Sequence, residues 1–224
     1  MRTLQHRLVT DTRYILLGLP MAIMSFSIVV AGVSAGLGAA VAFIGLPVLA
    51  ATAVLARNLA DVERVALPGV LGHPVARPRY APAPPGAGWF RRLMNPVVNG
   101  QAWLDLLHAI VAFPFALAAF VLTTVWWAGA VAGLTFPLYG WIIARIPGVE
   151  MGFPEWLGLP DGDLLYTVVT TGAGLAFALT LVPVVRLAAL LKAGVAQAML
   201  TRAVQPEPAP ATSIYAGSAW PAAR

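Results

Sequence analysis

Between Arg13 and Arg57 the chain runs for 43 residues without one charged side chain. As helix, at about 1.5 Å per residue, that run is roughly twice the ~30 Å depth of a bilayer's hydrocarbon core. One crossing leaves half of it over, so it reads as two crossings joined by a short bend. A charge at the bilayer centre costs about 2.5–3.5 kcal/mol on insertion scales, which accounts for arginines standing at both edges. Further uncharged stretches cover Leu106–Ala144 and Leu164–Val185. Only 10% of the chain is charged and 59% is hydrophobic, whereas soluble domains carry about a quarter charged residues. Lipid is the solvent this composition suits.

The stretch at 106–144 is long enough to cross once or twice, and the charges arbitrate. Residues 1–13 hold three Arg and one Asp; 57–105 hold six Arg and three acids; 145–163 hold one Arg and four acids; 186–224 hold four basic residues and one acid. One crossing gathers thirteen of the fourteen Lys and Arg on one side. The positive-inside tendency then selects four spans with both termini cytoplasmic, five spans being the rival. The expectation is an all-α integral membrane protein of the plasma membrane. Its four transmembrane helices form two repeated helical hairpins with cytoplasmic amphipathic helices.

The divisions follow from the charges. Residues 1–13 form a cytoplasmic N-terminus, 14–56 the first hairpin, and 57–105 an amphipathic segment with a Pro-rich loop. The second hairpin takes 106–185, its third span near 106–130, with an extracellular insertion at about 132–163. A cytoplasmic amphipathic helix follows at 186–204, then a disordered tail at 205–224, too poor in apolar residues for a core. Four prolines in the insertion (Pro137, Pro147, Pro154, Pro160) argue for short interfacial pieces over one long helix. The apolar run at 14–31 is read as an uncleaved first helix, because no polar cleavage region follows it.

The halves echo each other. "LPMAIMSF" at Pro20 and Phe26 matches "FPFALAAF" at Pro114 and Phe120. "VVRLAALLKAGVAQAML" matches "LARNLADVERVALPGVL", setting Arg186 on Arg57 and Gly174 on Gly45. Leu187, Leu190, Leu191, Val195, Ala198 and Met199 recur at helical spacing, a stripe suited to headgroups or a neighbouring helix. Trp89 and Phe90 would dip towards lipid, with Arg91 and Arg92 at anionic headgroups.

"GVSAG" at 32–36 has the form G-x-S-x-G, yet Ser34 lacks the strand-to-helix turn, base and acid of a nucleophile elbow. His108, the one intramembrane histidine, is expected at the other end of the span. Gly32 with Gly36 and Gly129 with Gly133 are small-xxx-small pairs suited to helix packing in lipid. No cysteine is present, His6, His73 and His108 lack ligand spacing, and no nucleotide fingerprint occurs. No catalytic residue, cofactor or metal is expected, and no charge ladder of the kind that couples ions to transport.

"LLGLPMAIMSF", "GVSAGLGAAVAFIGLPVLAATAVLARNLADVER", "FRRLMNPVVNGQAWLDLL" and "FPFALAAFVLTTVWWAGAVAGLTFPLYGW" resemble the sensor region of actinobacterial membrane proteins. The marks are Gly18-Leu19-Pro20, Gly45-Leu46-Pro47, Asn95-Pro96 and Trp103, over roughly residues 10–202. In that family the membrane region precedes a cytoplasmic histidine kinase in some two-component proteins and stands alone in others. The resemblance implies a sensor standing here without a kinase, since nothing after Arg202 resembles a phosphoacceptor helix.

The expected function is a non-catalytic membrane sensor or accessory protein that detects an envelope signal and passes it to a separate partner. That partner is a histidine kinase, regulator or transporter, with the lipid bilayer as solvent, no nucleic acid, and a homo-oligomer admitted. Trp141, Glu150, Phe153, Glu155, Trp156, Asp161 and Asp163 form the candidate extracellular signal surface. A small transporter or channel component is the alternative; its polar lining would come from Thr123, Thr124, Thr167, Thr170 and Thr171.

Overall fold

The computed structural model describes residues 4–39, 44–78, 80–143 and 163–201. Among these the chain is all-helical: α1 (Leu4–Gly38), α2 (Gly45–Leu71), α3 (Trp89–Val98), α4 (Gly100–Ile143) and α5 (Asp163–Leu200). The four long helices are each long and apolar enough to cross a membrane. Their outward faces fit that role. Leu17, Ile23, Val54, Leu117, Val121, Leu134 and Leu179 are exposed in helices whose inward faces carry alanine and glycine. Such a bundle offers lipid its large apolar side chains and keeps its small ones for helix contact.

α1 and α2 form one hairpin and α4 and α5 another, the latter the most extensive helix contact among the described residues. On α5 the inward stripe is Val185, Ala188, Ala189, Ala193, Ala196 and Leu200, all nearly inaccessible. α2 ends where Gly72 adopts a left-handed φ of 81° and its N–H bonds the Pro68 carbonyl at 3.0 Å. That is the closure a helix C-terminus favours, and Pro74 follows it.

Three expectations change. The segment expected to break into short pieces after about residue 131 continues as helix to Ile143, through Pro137. It has a partner to hold it: Gly133, Phe136 and Gly140 are buried on one face, and the Phe136 ring lies 5.1 Å from that of Tyr166 on α5. The rest of the expected insertion, 144–162, lies outside the described residues. The amphipathic segments at 57–67 and 186–204 are, as far as described, the C-terminal parts of α2 and α5, continuous with the spans.

The third change is direction. Hairpins with both bends on one face would run α1 parallel to α4. Instead Phe26 stacks on Phe113 with ring centroids 4.7 Å apart, and Trp127 Nε1 donates to Thr12 Oγ1 at 3.3 Å. Residue numbers rise on α1 as they fall on α4, so the helices are antiparallel. Gly38 and Gly45 therefore lie at one end of the bundle, Ile143 and Asp163 at the other. The hairpins overlap through their charged stretches, where opposite charges on different helices meet.

Candidate functional site

That overlap holds a buried polar belt. Arg64 of α2 is 1% exposed and Asp105 of α4 is likewise 1% exposed. An Arg64 terminal nitrogen is ion-paired to Asp105 Oδ1. Its other terminal nitrogen bonds Asp61 Oδ1 at 2.7 Å, and its Nε bonds the Leu200 carbonyl at 2.9 Å. One guanidinium thus joins α2, α4 and the end of α5. A planar five-donor fork suits this, its three nitrogens each facing a different partner, whereas a lysine offers one nitrogen.

Asp105 collects further donors. Gln101 Nε2 bonds its Oδ1 at 3.2 Å and also the Met199 carbonyl. The Tyr80 hydroxyl, from the connection after α2, bonds its Oδ2 at 2.5 Å. Arg57 lies over the Tyr80 ring, 3.6 Å from the centroid, a cation–π contact that pins the connection to α2. Burial first, then the bond to Asp105, pushes the Tyr80 hydroxyl above the usual tyrosine range.

Two more pairs tie α5 to the first hairpin. Lys192 Nζ bonds Glu63 Oε1 at 2.5 Å, the Tyr14 hydroxyl bonds the same oxygen, and the ammonium lies 3.8 Å from the Tyr14 ring centroid. A Cβ on Gly18 would sit 2.8 Å from Lys192 Cε and 2.9 Å from Nζ, so the glycine makes the room that lysine uses. Arg186 bonds Asp11 Oδ1 and Oδ2 at 3.0 and 3.2 Å and the Val70 carbonyl at 2.9 Å. Beside these pairs is a cavity of about 30 Å³ reached by Glu63, Asp105, His108 and Lys192, room for a water or so. His108 Nε2 is buried there without a hydrogen-bond partner.

These groups hold charge and protons. No cluster of three or more His, Cys, Asp or Glu occurs among the described residues, and Arg64, Arg186 and Lys192 already face the carboxylates. What the arrangement does is couple helices: each inter-helix pair is made across elements that must move together or exchange partners.

The residues singled out from sequence lie away from this belt. Of the signal surface, Trp141 is exposed on the last turns of α4 and donates to the Leu138 carbonyl of its own helix at 2.9 Å. Asp163 opens α5. Glu150, Phe153, Glu155, Trp156 and Asp161 lie outside the described residues. The glycines lie inside helices, and their role is close approach rather than a bend; positive φ occurs at Gly72 and Gly86. A Cβ on Gly133 would stand 2.4 Å from Gly174 Cα, one on Gly129 2.8 Å from the Phe177 ring. On Gly32 it would stand 2.1 Å from Thr52 Oγ1, and on Gly36 3.1 Å from Leu49 Cβ. Ser34 is exposed within α1, on no strand-to-helix turn.

Sequence reasoning missed the belt. It left the bundle interior with His108 and threonines, whereas Asp11, Glu63, Arg64, Asp105 and Lys192 also lie inside. Of the two covers expected for the α5 stripe, a neighbouring helix within the bundle is excluded for Leu187, Leu190 and Leu191, which are exposed, while Lys192 beside them is 4% exposed. Periodicity marks a face without saying which medium covers it.

The family described as "Sensor: Putative sensor" matches residues 14–200. Comparison with curated proteins and with solved structures yields no match.

Proposed function

The chain belongs to the Putative sensor family, and on that premise we propose that it is a non-catalytic membrane sensor that relays an envelope signal to a separate protein. The polar belt would be its two-state element. The observation that carries this reading is that Asp11–Arg186, Glu63–Lys192 and Arg64–Asp105 each join different helices. A shift of one helix breaks or exchanges discrete ion pairs, and packed, paired interfaces of this sort switch rather than deform smoothly. A signal acts on such an element only as far as it favours one arrangement over the other.

The sequence echo between the two halves supports the reading. The register that sets Pro20 on Pro114 sets Asp11 on Asp105 and Tyr14 on His108; the register that sets Arg57 on Arg186 sets Glu63 on Lys192. The belt would then be two copies of one polar motif facing each other. The basic connection 72–99 fits a cytoplasmic location. α1 and α5 both run antiparallel to α4, so Leu4 and Leu200 lie towards opposite ends of the bundle, and the expectation of both termini on one side is withdrawn. The output would go to a kinase, regulator or transporter, and the acidic and aromatic stretch from Trp141 to Asp163 remains the proposed receiving surface.

The test uses the native host. Deletion should abolish the transcriptional response to at least one of a panel of envelope challenges, among them cationic peptides, detergents and osmotic shock. Wild-type protein should restore it, and Glu63→Gln, present in the membrane at equal amount, should not. A deletion strain that responds like its parent to the whole panel overturns the proposal.

One observation favours a second reading, a small transport component: the cavity beside Glu63, Asp105, His108 and Lys192 supplies the polar interior that transport needs. Proton or ion flux through the purified protein in liposomes would establish it, and tight liposomes would remove it. Hydrolase chemistry at Ser34 is set aside on its helical, exposed position; an altered phenotype for Ser34→Ala at normal protein level would revive it.

A further inference from the structure

A second opening, on the outer surface between α1 and α2, encloses about 290 Å³, near the lower bound of small-molecule sites. Its walls are apolar: Leu17 and Met21 from α1, Val62 and Ala66 from α2, with Leu17 and Val62 more than half exposed. Gly18 and Glu63 form its floor and Thr10 and Arg13 its rim.

The charges at this opening are unequal. Glu63 already receives Lys192 and the Tyr14 hydroxyl. Arg13 is exposed and enters none of the four ion pairs among the described residues. The uncompensated charge is therefore positive, at the mouth of an apolar trough. Arg13 is also the last charge before the uncharged run 14–56. The trough leads from it along the apolar side chains of α1 and α2, the pairing of basic head and apolar stem that suits a phospholipid.

We propose that this groove binds an anionic phospholipid of the surrounding bilayer, its phosphate at Arg13 and Thr10 and one acyl chain along Leu17, Met21, Val62 and Ala66. The proposal deepens the sensor reading by naming a ligand class, and it rests on that reading only for what the bound lipid reports. Structure supplies the link between the two. The groove floor is Gly18 and Glu63, and directly behind Gly18 stands Lys192, so the occupant lies against the Glu63–Lys192 pair of the belt.

The experiment uses the purified full chain in phosphatidylcholine nanodiscs with a tracer of phosphatidylglycerol carrying a photoactivatable acyl chain. Crosslinks should map to residues 10–21 and 62–70 and exceed those from an equally labelled phosphatidylcholine tracer. Arg13→Gln should cut the yield about fivefold, the order expected for one basic side chain at an anionic surface, and Arg13→Lys should retain it. Ala66→Trp, at an exposed wall position, fills the trough and should lower the yield with Arg13 intact; Leu17→Trp does the same from the other wall. Equal labelling by the two tracers, or wild-type labelling in both tryptophan variants, overturns the site. Because labelling is read without signalling, the two proposals fail separately. Absent labelling beside an intact envelope response sinks the lipid site alone; intact labelling beside an absent response sinks the sensor reading alone.

Discussion

The contact at Gly133 and the contact at Arg64 join α4 to its neighbours by opposite chemistry. At Gly133 the α4 and α5 backbones touch, with Gly174 opposite and no side chain between them. At Arg64 two backbones stand a long side chain apart, and a desolvated guanidinium fills the gap with hydrogen bonds to Asp105, Asp61 and Leu200. The first gains from dispersion and tolerates no added atom. The second gains from charge and tolerates no lost partner, since one member removed leaves the other buried and unpaired. The glycine contact suits a hairpin that stays closed; the ionic belt suits an interface with alternative pairings.

The most drastic test of this contrast concerns which ends the two contacts occupy. The chain has no native cysteine, so Phe26→Cys with Phe113→Cys gives a single oxidisable pair at positions whose rings now stack. In native membranes the disulfide should form and hold the two hairpins' fragments together after tryptic cleavage. If it does not form, while a pair placed at Phe136 and Tyr166, whose rings also meet, does, the hairpins do not run opposed and the belt is assembled differently.

Arg64→Met should follow in size. It leaves Asp105 desolvated with its strongest donor gone, and breaking buried pairs costs about 3–5 kcal/mol. Unfolding in nanodiscs, followed by thermal inactivation of a reporter fused after Leu200, should show a large fall in midpoint. An unchanged midpoint means that water reaches Asp105 and the belt is not sealed. Gly133→Ala should cost less, about 1–3 kcal/mol as overpacking, because α4 and α5 can separate slightly along their length. If the alanine proves the worse of the two, close packing rather than charge dominates the bundle.

The same contrast sets what the sequence could show. Four spans were legible because 43 uncharged residues admit few other solutions, and the glycine pairs were legible because small residues four apart announce close approach. Asp11, Asp105, Arg186 and Lys192 were visible only as markers of span edges. The inference that edges lie in water failed because the helices extend past them, α1 beginning at Leu4 and α5 ending at Leu200, so the edges pack on one another. The buried lysine had one signal in the chain: Gly18, in a helix interior, is where Lys192 needs room. Pro137 failed as a breaker for a related reason, since Gly133, Phe136 and Gly140 give α4 a face for α5 that outweighs one lost backbone bond. Hairpin direction left no trace in composition at all; it depends on which charge finds which.

The smallest expected effect is the most selective probe of the belt's rim. Tyr80→Phe removes one hydrogen bond to Asp105 Oδ2 and keeps the ring beneath Arg57, so about 1 kcal/mol should be lost at neutral pH. Alkaline pH separates this bond from mere packing. The folded-state pKa of Tyr80 is raised above 10.0, so its stabilisation is fully present below pH 10 and fades as pH rises towards the folded value, where the unfolded chain alone has released the proton. The gap between wild type and Tyr80→Phe should accordingly narrow above about pH 10, while the deficit of Gly133→Ala, which involves no titrating group, holds constant. No gap at neutral pH would mean that the hydroxyl contributes nothing to the Asp105 cluster and that the ring alone fastens the 72–99 connection to the bundle.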